Sequence, residues 1–397
     1  MNENVSLAGQ AITLIHGGQV RTRSALTAEL GVSRATAGAV TGRLRELGLI
    51  EVEAGPGGGA HGRPSHRLLI DPGGPAVIAA QIHPDGYEVA LVGLGGRISQ
   101  AERVHAEMSA DPARALAPLA ADAARLLRAS GRRCAGAALA VASAVSSPGG
   151  DAVGALYLGW PPNAPVRDLF ARCLEEQSVD APGCVAVNDI NAAALAEHRH
   201  GAGAGASVLL MVATGHRGVG GALVLGGTLF TGSGGFGMEA GHVAVDPDGR
   251  PCPCGNRGCL SVETDGGRFL EAAGRQPSPG SPDLDQAIAV LRDSYDSDPA
   301  VRAAAAGLAG YLGRGLAGLV NVLNPDRILL GGLHRYLLES EPRLLRETIA
   351  ERSPWNRGAE IPVRATTLDH ATLIGAAELA WQPVLDNPEA LDDPAGR

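Results

Sequence analysis

EAGHVAVDPDGRPCPCGNRGCLSVE, residues 239–263, is the stretch whose reading decides the fold. It holds Cys252, Cys254 and Cys259, three of the chain's six cysteines, with His242 upstream and glycines at 255 and 258 that let so short a loop fold back. Three thiolates and an imidazole make a tetrahedral donor set for zinc. With all four positions filled by protein, such a metal shapes the loop and does not perform a reaction. Zinc binding to peptides of this kind is worth roughly 10–16 kcal/mol, more than packing gives a loop so poor in large apolar residues. Fixing His242 also fixes Glu239, so a carboxylate is aimed from a rigid frame.

The run G-x-E-x-G-H (Gly237 to His242) followed by C-x-C-G-x-x-G-C (Cys252 to Cys259) resembles the signature of the ROK family, which contains repressors, open reading frames and sugar kinases. Weaker similarity runs from about residue 7 to 381. The resemblance implies an α/β architecture of two actin-like (ribonuclease H-like) lobes with a cleft between them, as in sugar kinases. It also implies a structural zinc held by His242, Cys252, Cys254 and Cys259. Asn188 and Asp189, in V-N-D-I-N, match a sugar-binding asparagine and the catalytic aspartate, and Glu239 and His242 match two further sugar contacts. His242 can serve twice only if one ring nitrogen takes the metal and the other faces the sugar.

Around this centre, 397 residues allow two or three domains, and 45% hydrophobic with 19% charged residues is the makeup of a globular protein. The N-terminus lacks the basic and apolar regions of a secretion signal and no stretch reads as a membrane span, so a cytoplasmic location is expected, with Cys134, Cys173 and Cys184 reduced. Charge is uneven. Residues 1–67 carry seven arginines against five glutamates while the whole chain is at −9, so only this first segment suits a polyanion.

That segment reads as a winged helix-turn-helix over 1–71. Leu7, Ala11, Leu14 and Ile15 share one helical face, Thr22 caps a second helix to Leu30, and Ser33 caps a third to Leu47. Val40, Leu44 and Leu47 are assigned to the core. Ser33, Arg34, Thr36, Ala37, Thr41 and Arg43 are assigned to DNA, with Arg34 reaching a guanine edge in the major groove. Two short strands, 49–54 and 65–70, flank the glycine-rich tip GPGGGAHGRP, a wing whose G-R-P resembles that of ROK repressors, with Arg63 entering the minor groove.

From residue 76 strands and helices alternate: strands at 77–82, 87–94, 98–104, 135–141, 183–187, 207–212 and 327–330, and helices at 112–129, 166–176, 191–200 and 299–323. The sugar-binding body is assigned to 72–383, its last helix ending near Trp381. The acidic segment 384–397 is expected to be disordered.

The cleft keeps more of a sugar site than of a phosphate site. Kinases of the family carry a glutamate two residues after the last zinc cysteine; Ser261 stands there, with Glu263 nearby. The first phosphate turn, Asp-x-Gly in the family, aligns with Gln81-Ile82-His83, and the second, G-T-G, with His216-Arg217-Gly218. Bulky side chains thus stand where backbone must approach phosphate, and only Gly331-Gly332 survives. The expectation is a DNA-binding transcriptional regulator, a repressor of carbohydrate-related genes, binding double-stranded operator DNA as a homodimer or homotetramer, responding to a sugar or sugar derivative in a degenerate kinase-like cleft and lacking phosphoryl transfer. The rival is a hexose kinase that also binds DNA; a third reading is a regulator with a protein partner and no small effector.

Overall fold

The computed structural model describes residues 5–54, 66–155, 157–277, 283–354 and 361–391. Three capped helices open the chain. Ser6, Thr22 and Ser33 each accept a backbone N–H from the first turn of α1 (Leu7–His16), α2 (Arg23–Leu30) and α3 (Arg34–Glu46) respectively, which offsets part of the unsatisfied helix start. Gly31, in the left-handed region, ends α2. β1 (Ile50–Glu53) then pairs antiparallel with β2 (Arg67–Ile70). The tip between them, with Arg63, lies outside the described residues.

Two α/β lobes follow, each built the same way. In the first, β3 (Ala76–His83), β4 (Gly86–Gly93) and β5 (Arg97–His105) form an antiparallel meander. After α4 (Pro112–Ser130), β6 (Cys134–Val141) joins β3 in parallel; after α5 (Val166–Glu176), β7 (Cys184–Asn188) joins β6 in parallel. α6 (Asp189–His200) leads to the second lobe. There β8 (Val208–Thr214), β9 (Val219–Leu225) and β10 (Thr228–Leu229) repeat the meander. The cysteine loop and helices α7 (Leu260–Thr264), α8 (Gly266–Ala272), α9 (Asp283–Ser294) and α10 (Pro299–Leu323) come next. β11 (Arg327–Gly331) then pairs in parallel with β8. After α11 (Leu333–Ser340) and α12 (Pro342–Arg352), β12 (Val363–Ala365) pairs in parallel with β11. The strand orders are β5-β4-β3-β6-β7 and β10-β9-β8-β11-β12.

α13 (Ala371–Asp386) returns to the first lobe and packs along α6. Gly375 permits that approach, since a Cβ there would stand 1.7 Å from the Ala192 carbonyl oxygen. Trp381 and Leu385 of α13 share one apolar core with Ile12, Ile15 and Leu44 of the N-terminal helices, with Leu49 just before β1, and with Val77 and Ala138 of the first sheet. The N-terminal module is therefore seated on the body through buried side chains.

Several expectations need correction. α13 extends to Asp386, not Trp381, and a 3₁₀ turn follows at Pro388–Leu391 with Leu391 buried, so residues 384–391 are packed and not disordered. Their acidic composition hid Val384, Leu385 and Leu391, which meet the module's core. On α3, Ala37 and Thr41 are fully buried, and the Thr41 hydroxyl donates to the Ala37 carbonyl at 2.8 Å. They fall at i and i+4, with Leu44 at i+7, and so share its core-facing stripe. α10 has the length and composition of a membrane span, contrary to expectation, and 56% of its most apolar window is buried.

Candidate ligand cleft and cysteine loop

The cysteine loop is drawn together by its backbone. Cys252 N–H donates to the Asn256 carbonyl at 2.8 Å, and Leu260 N–H to Val243 at 2.8 Å. Gly258, at φ +59°, crosses Asp246 so closely that a Cβ would stand 1.6 Å from its carbonyl oxygen. The outcome is one cluster in which the ligand atoms of His242, Cys252, Cys254 and Cys259 all lie within 4.8 Å of one another. Cys254 Sγ to Cys259 Sγ is 3.7 Å, and Cys252 Sγ to His242 Nδ1 is 3.7 Å. A tetrahedral ion with metal–sulfur bonds near 2.3 Å separates its sulfurs by about 3.8 Å. The four donors thus fit a closed metal site, and 3.7 Å excludes disulfides between these sulfurs.

Since Nδ1 of His242 faces the cysteines, Nε2 is left for the other side, and there His242 lines a cleft of about 390 Å³. Asn188, Asp189, Glu239 and His242 all border this cleft, with Ser143, Tyr157, Arg217, Phe236 and Ser261. Asn188 is the N-cap of α6: its Oδ1 accepts from Ile190 and Asn191 N–H, each at 3.0 Å, and its amide donates to the Ser143 carbonyl at 3.1 Å. One amide hydrogen remains for a ligand. Asp189, at the first position of α6, accepts from Ile190 N–H at 2.9 Å. Burial, reinforced by the charge of Glu239, pushes its carboxyl up to about 7, and burial also raises Glu239. Two desolvated carboxyls beside an imidazole edge can accept hydrogen bonds from vicinal hydroxyls. A group titrating near 7 is also poised to take a proton.

Ser261 does not hang free in this cleft. It is buried, and its hydroxyl accepts Val219 N–H at 3.0 Å, holding the start of β9. Glu263 is no substitute for the family glutamate: it is buried away from the cleft and accepts Arg250 N–H at 2.8 Å, bracing the cysteine loop. The two stand on a short helix, α7, and not along an extended loop. Tyr157 and Phe236, lone aromatics in irregular segments, were not picked out from the sequence. Only the shortage of aromatics, 3% of the chain, marks them.

Behind Asp189 a second opening of about 410 Å³ runs between the sheets, lined by Gln81, Gly215, His216, Gly331, Gly332 and Thr366 among others. One of its walls, His216, rests on a buried ring. His83 and His216 stack with centroids 3.6 Å apart and planes 3° from parallel. Burial, with neighbouring His216 and Arg103, lowers His83 to about 3, so its ring is neutral. Arg217 turns away from this opening, toward Asp85 at 3.9 Å and Asp283 at 3.6 Å.

On α3, Ser33 and Thr36 are tied to each other, with hydroxyls 2.8 Å apart, and Arg34 is exposed at the helix start. Arg43 is half-exposed and engaged with Glu389, its Nε donating to both carboxylate oxygens at 2.9 and 3.0 Å, so a nucleic acid would have to compete for it. Arg45 is exposed on the same helix and was not assigned from the sequence.

The ROK family model matches residues 79–383. The chain belongs to the ROK family. It is 33% identical over 189 residues to a glucokinase of Halalkalibacterium halodurans, a match covering 45% of this chain but only 55% of that kinase. It is 23% identical over 384 residues to the xylose repressor of Caldicellulosiruptor bescii, covering 94% of each chain. Among solved structures, a ROK family transcriptional regulator described as a homologue of the E. coli MLC protein superposes over 97% of this chain and 98% of its own. The TM-score is 0.75 at 22% identity, a likeness of fold. As a ROK protein the chain is thus similar along nearly its whole length to a repressor, and over part of it to kinases.

Proposed function

We propose that this ROK protein is a sugar-responsive transcriptional regulator, a repressor of carbohydrate genes, whose N-terminal winged helix-turn-helix binds operator DNA. The observation that carries the reading is a physical link between the two ends of α6. At its first turn stand Asn188 and Asp189; about 18 Å along the rod, Arg199 and His200 bind Glu378 of α13. Glu378 is fully buried and also accepts from His16 Nε2 of α1 at 2.8 Å, while His16 Nδ1 accepts Gly95 N–H at 2.9 Å. Burial alone would raise Glu378, yet His16, His200 and Arg199 hold it well below the usual carboxylate range. A displacement of α6 on closing the cleft is therefore delivered to the helix that seats the DNA-binding module.

In this account Asn188, Asp189, Glu239 and His242 hold the hydroxyls of a sugar or sugar derivative. Zinc on His242, Cys252, Cys254 and Cys259 keeps Glu239 and the imidazole aimed. Arg34, with Ser33 and Thr36, meets the major groove, and Arg45 adds a phosphate contact. Arg63 is assigned to the minor groove from the sequence alone. Two copies place two modules on half-sites about one helical turn apart, and the sugar acts through its different affinity for open and closed clefts. The protein is expected to work in the cytoplasm.

Asp189 and the kinase likeness favour one second reading, residual hexose phosphorylation. Gln81 in place of a carboxylate and the His83–His216 stack at the phosphate end weigh against it. Calorimetric titration with a panel of sugars, beside a coupled assay for ADP release, tests both readings. The regulator reading expects saturable sugar binding, lost in Glu239→Ala, with no ADP above background; sugar-dependent ADP release contradicts it.

A further inference from the structure

The His83–His216 stack belongs to a second cluster of metal-ligating side chains, apart from the sugar cleft and the cysteine loop. His83 closes β3 and Asp85 stands in the β3–β4 turn of the first lobe; His216 stands in the β8–β9 turn of the second. One ligand atom from each lies within 4.8 Å of the others, and His216 Nδ1 is 3.7 Å from Asp85 Oδ2. His83 is fully buried, yet neither of its ring nitrogens has a protein hydrogen-bond partner, and the same holds for His216 Nδ1 and Asp85 Oδ2. Buried polar atoms are ordinarily paired, and one unpaired atom from each of three residues, gathered within 4.8 Å, calls for a ligand. The surrounding charges leave room for a cation: Arg103 is paired with Glu88, and Arg217 is shared between Asp85 and Asp283.

We propose that His83, Asp85 and His216 bind a divalent first-row transition ion of the zinc type, and that the ion ties the two lobes together across the phosphate end of the cleft. Two imidazoles and one carboxylate are the donors such ions select, whereas magnesium and calcium take oxygen. A tilt of the His216 ring out of the stack brings its lone pair toward that of His83, because each ring binds a metal in its own plane. The ion stands at the two turns that align with the phosphate turns of the ROK kinases, so occupancy excludes a nucleotide there. The assignment does not depend on the chain being a DNA regulator.

Cobalt(II) is the probe. Protein holding one equivalent of zinc is titrated with Co²⁺ by calorimetry and visible absorption. The expected result is one further equivalent, with d–d bands and no thiolate-to-cobalt charge transfer, which distinguishes this site from the cysteine loop. His216→Ala and Asp85→Asn, both at turns and so tolerant of change, are expected to weaken cobalt binding by more than about tenfold, the loss that outer-shell changes already cause. Zinc content and thermal unfolding confirm that each variant is folded. Uptake of no second equivalent overturns the proposal, as does cobalt binding undiminished in both variants, or magnesium competing for the same equivalent.

Discussion

Asp189→Asn should make the ligand-free protein more stable and unable to bind sugar. The carboxyl of Asp189 moves from 3.8 to about 7 on folding, first because it is buried and then because Glu239 lies near. Between pH 4 and pH 7 the folded chain keeps a proton that the unfolded chain has released, so stability falls as pH rises through that window. Above pH 7 the full deficit is present. A shift of about three units at 1.36 kcal/mol each gives about 4 kcal/mol, and relaxation around the charge brings the expected gain to roughly 2–4 kcal/mol. Asparagine keeps an oxygen for Ile190 N–H and carries no charge. Thermal unfolding at pH 4.0 and pH 8.0 reads the effect: the variant should match the wild type at the lower pH and unfold several degrees higher at the upper. An equal difference at both values, or a variant less stable at pH 8, would refute the claim that a desolvated charge is held in the cleft for a ligand.

Other outcomes follow from the same geometry. Cys254→Ser, at an exposed cysteine with little packing to lose, should release the zinc and lower the unfolding temperature; unchanged zinc content by elemental analysis would remove the cysteine loop's assigned role. Glu378→Gln removes the buried carboxylate that His16, His200 and Arg199 contact, a loss of about 3–5 kcal/mol. Because the Glu378 carboxyl is depressed, its stabilising share is present above the ordinary glutamate range and is lost only as pH falls below it. The variant should leave sugar affinity near normal while abolishing the effect of sugar on DNA binding, and retained coupling would break the proposed link through α6. Arg34→Ala should cost about 1–3 kcal/mol of discrimination at a single base position in a gel-shift series; Arg43→Ala should instead lower stability by freeing Glu389, with little change at the operator.

What the sequence disclosed and what it concealed have separate physical causes. The cysteine spacing is a local constraint, so the gathering of His242 with Cys252, Cys254 and Cys259 could be read from a few residues. Caps at Thr22 and Ser33 and the periodic strands are local too, and the element order followed from them. Long-range choices were not legible. Nothing in the acidic composition of residues 384–391 showed that Leu391 joins the module's core, or that Glu389 takes Arg43. Small or polar residues such as Ala37 and Thr41 looked like surface until helical phase placed them beside Leu44. Tyr157 and Phe236 reach the cleft from irregular segments whose path only tertiary packing decides. The His83–His216 stack joins residues 133 positions apart on two sheets, and the link from Asp189 through α6 to His16 needs the whole chain assembled.

The most direct test of the central claim is selection of genomic DNA fragments by the zinc-loaded protein at near-physiological salt, followed by sequencing and by competition with sugars. Salt matters because unspecific arginine–phosphate attraction otherwise retains every fragment. The account predicts enrichment of one shared palindromic site, its half-sites about one helical turn apart, beside carbohydrate genes, and release or strengthening by a sugar that Glu239→Ala no longer obeys. Enrichment of no sequence above random fragments would contradict it.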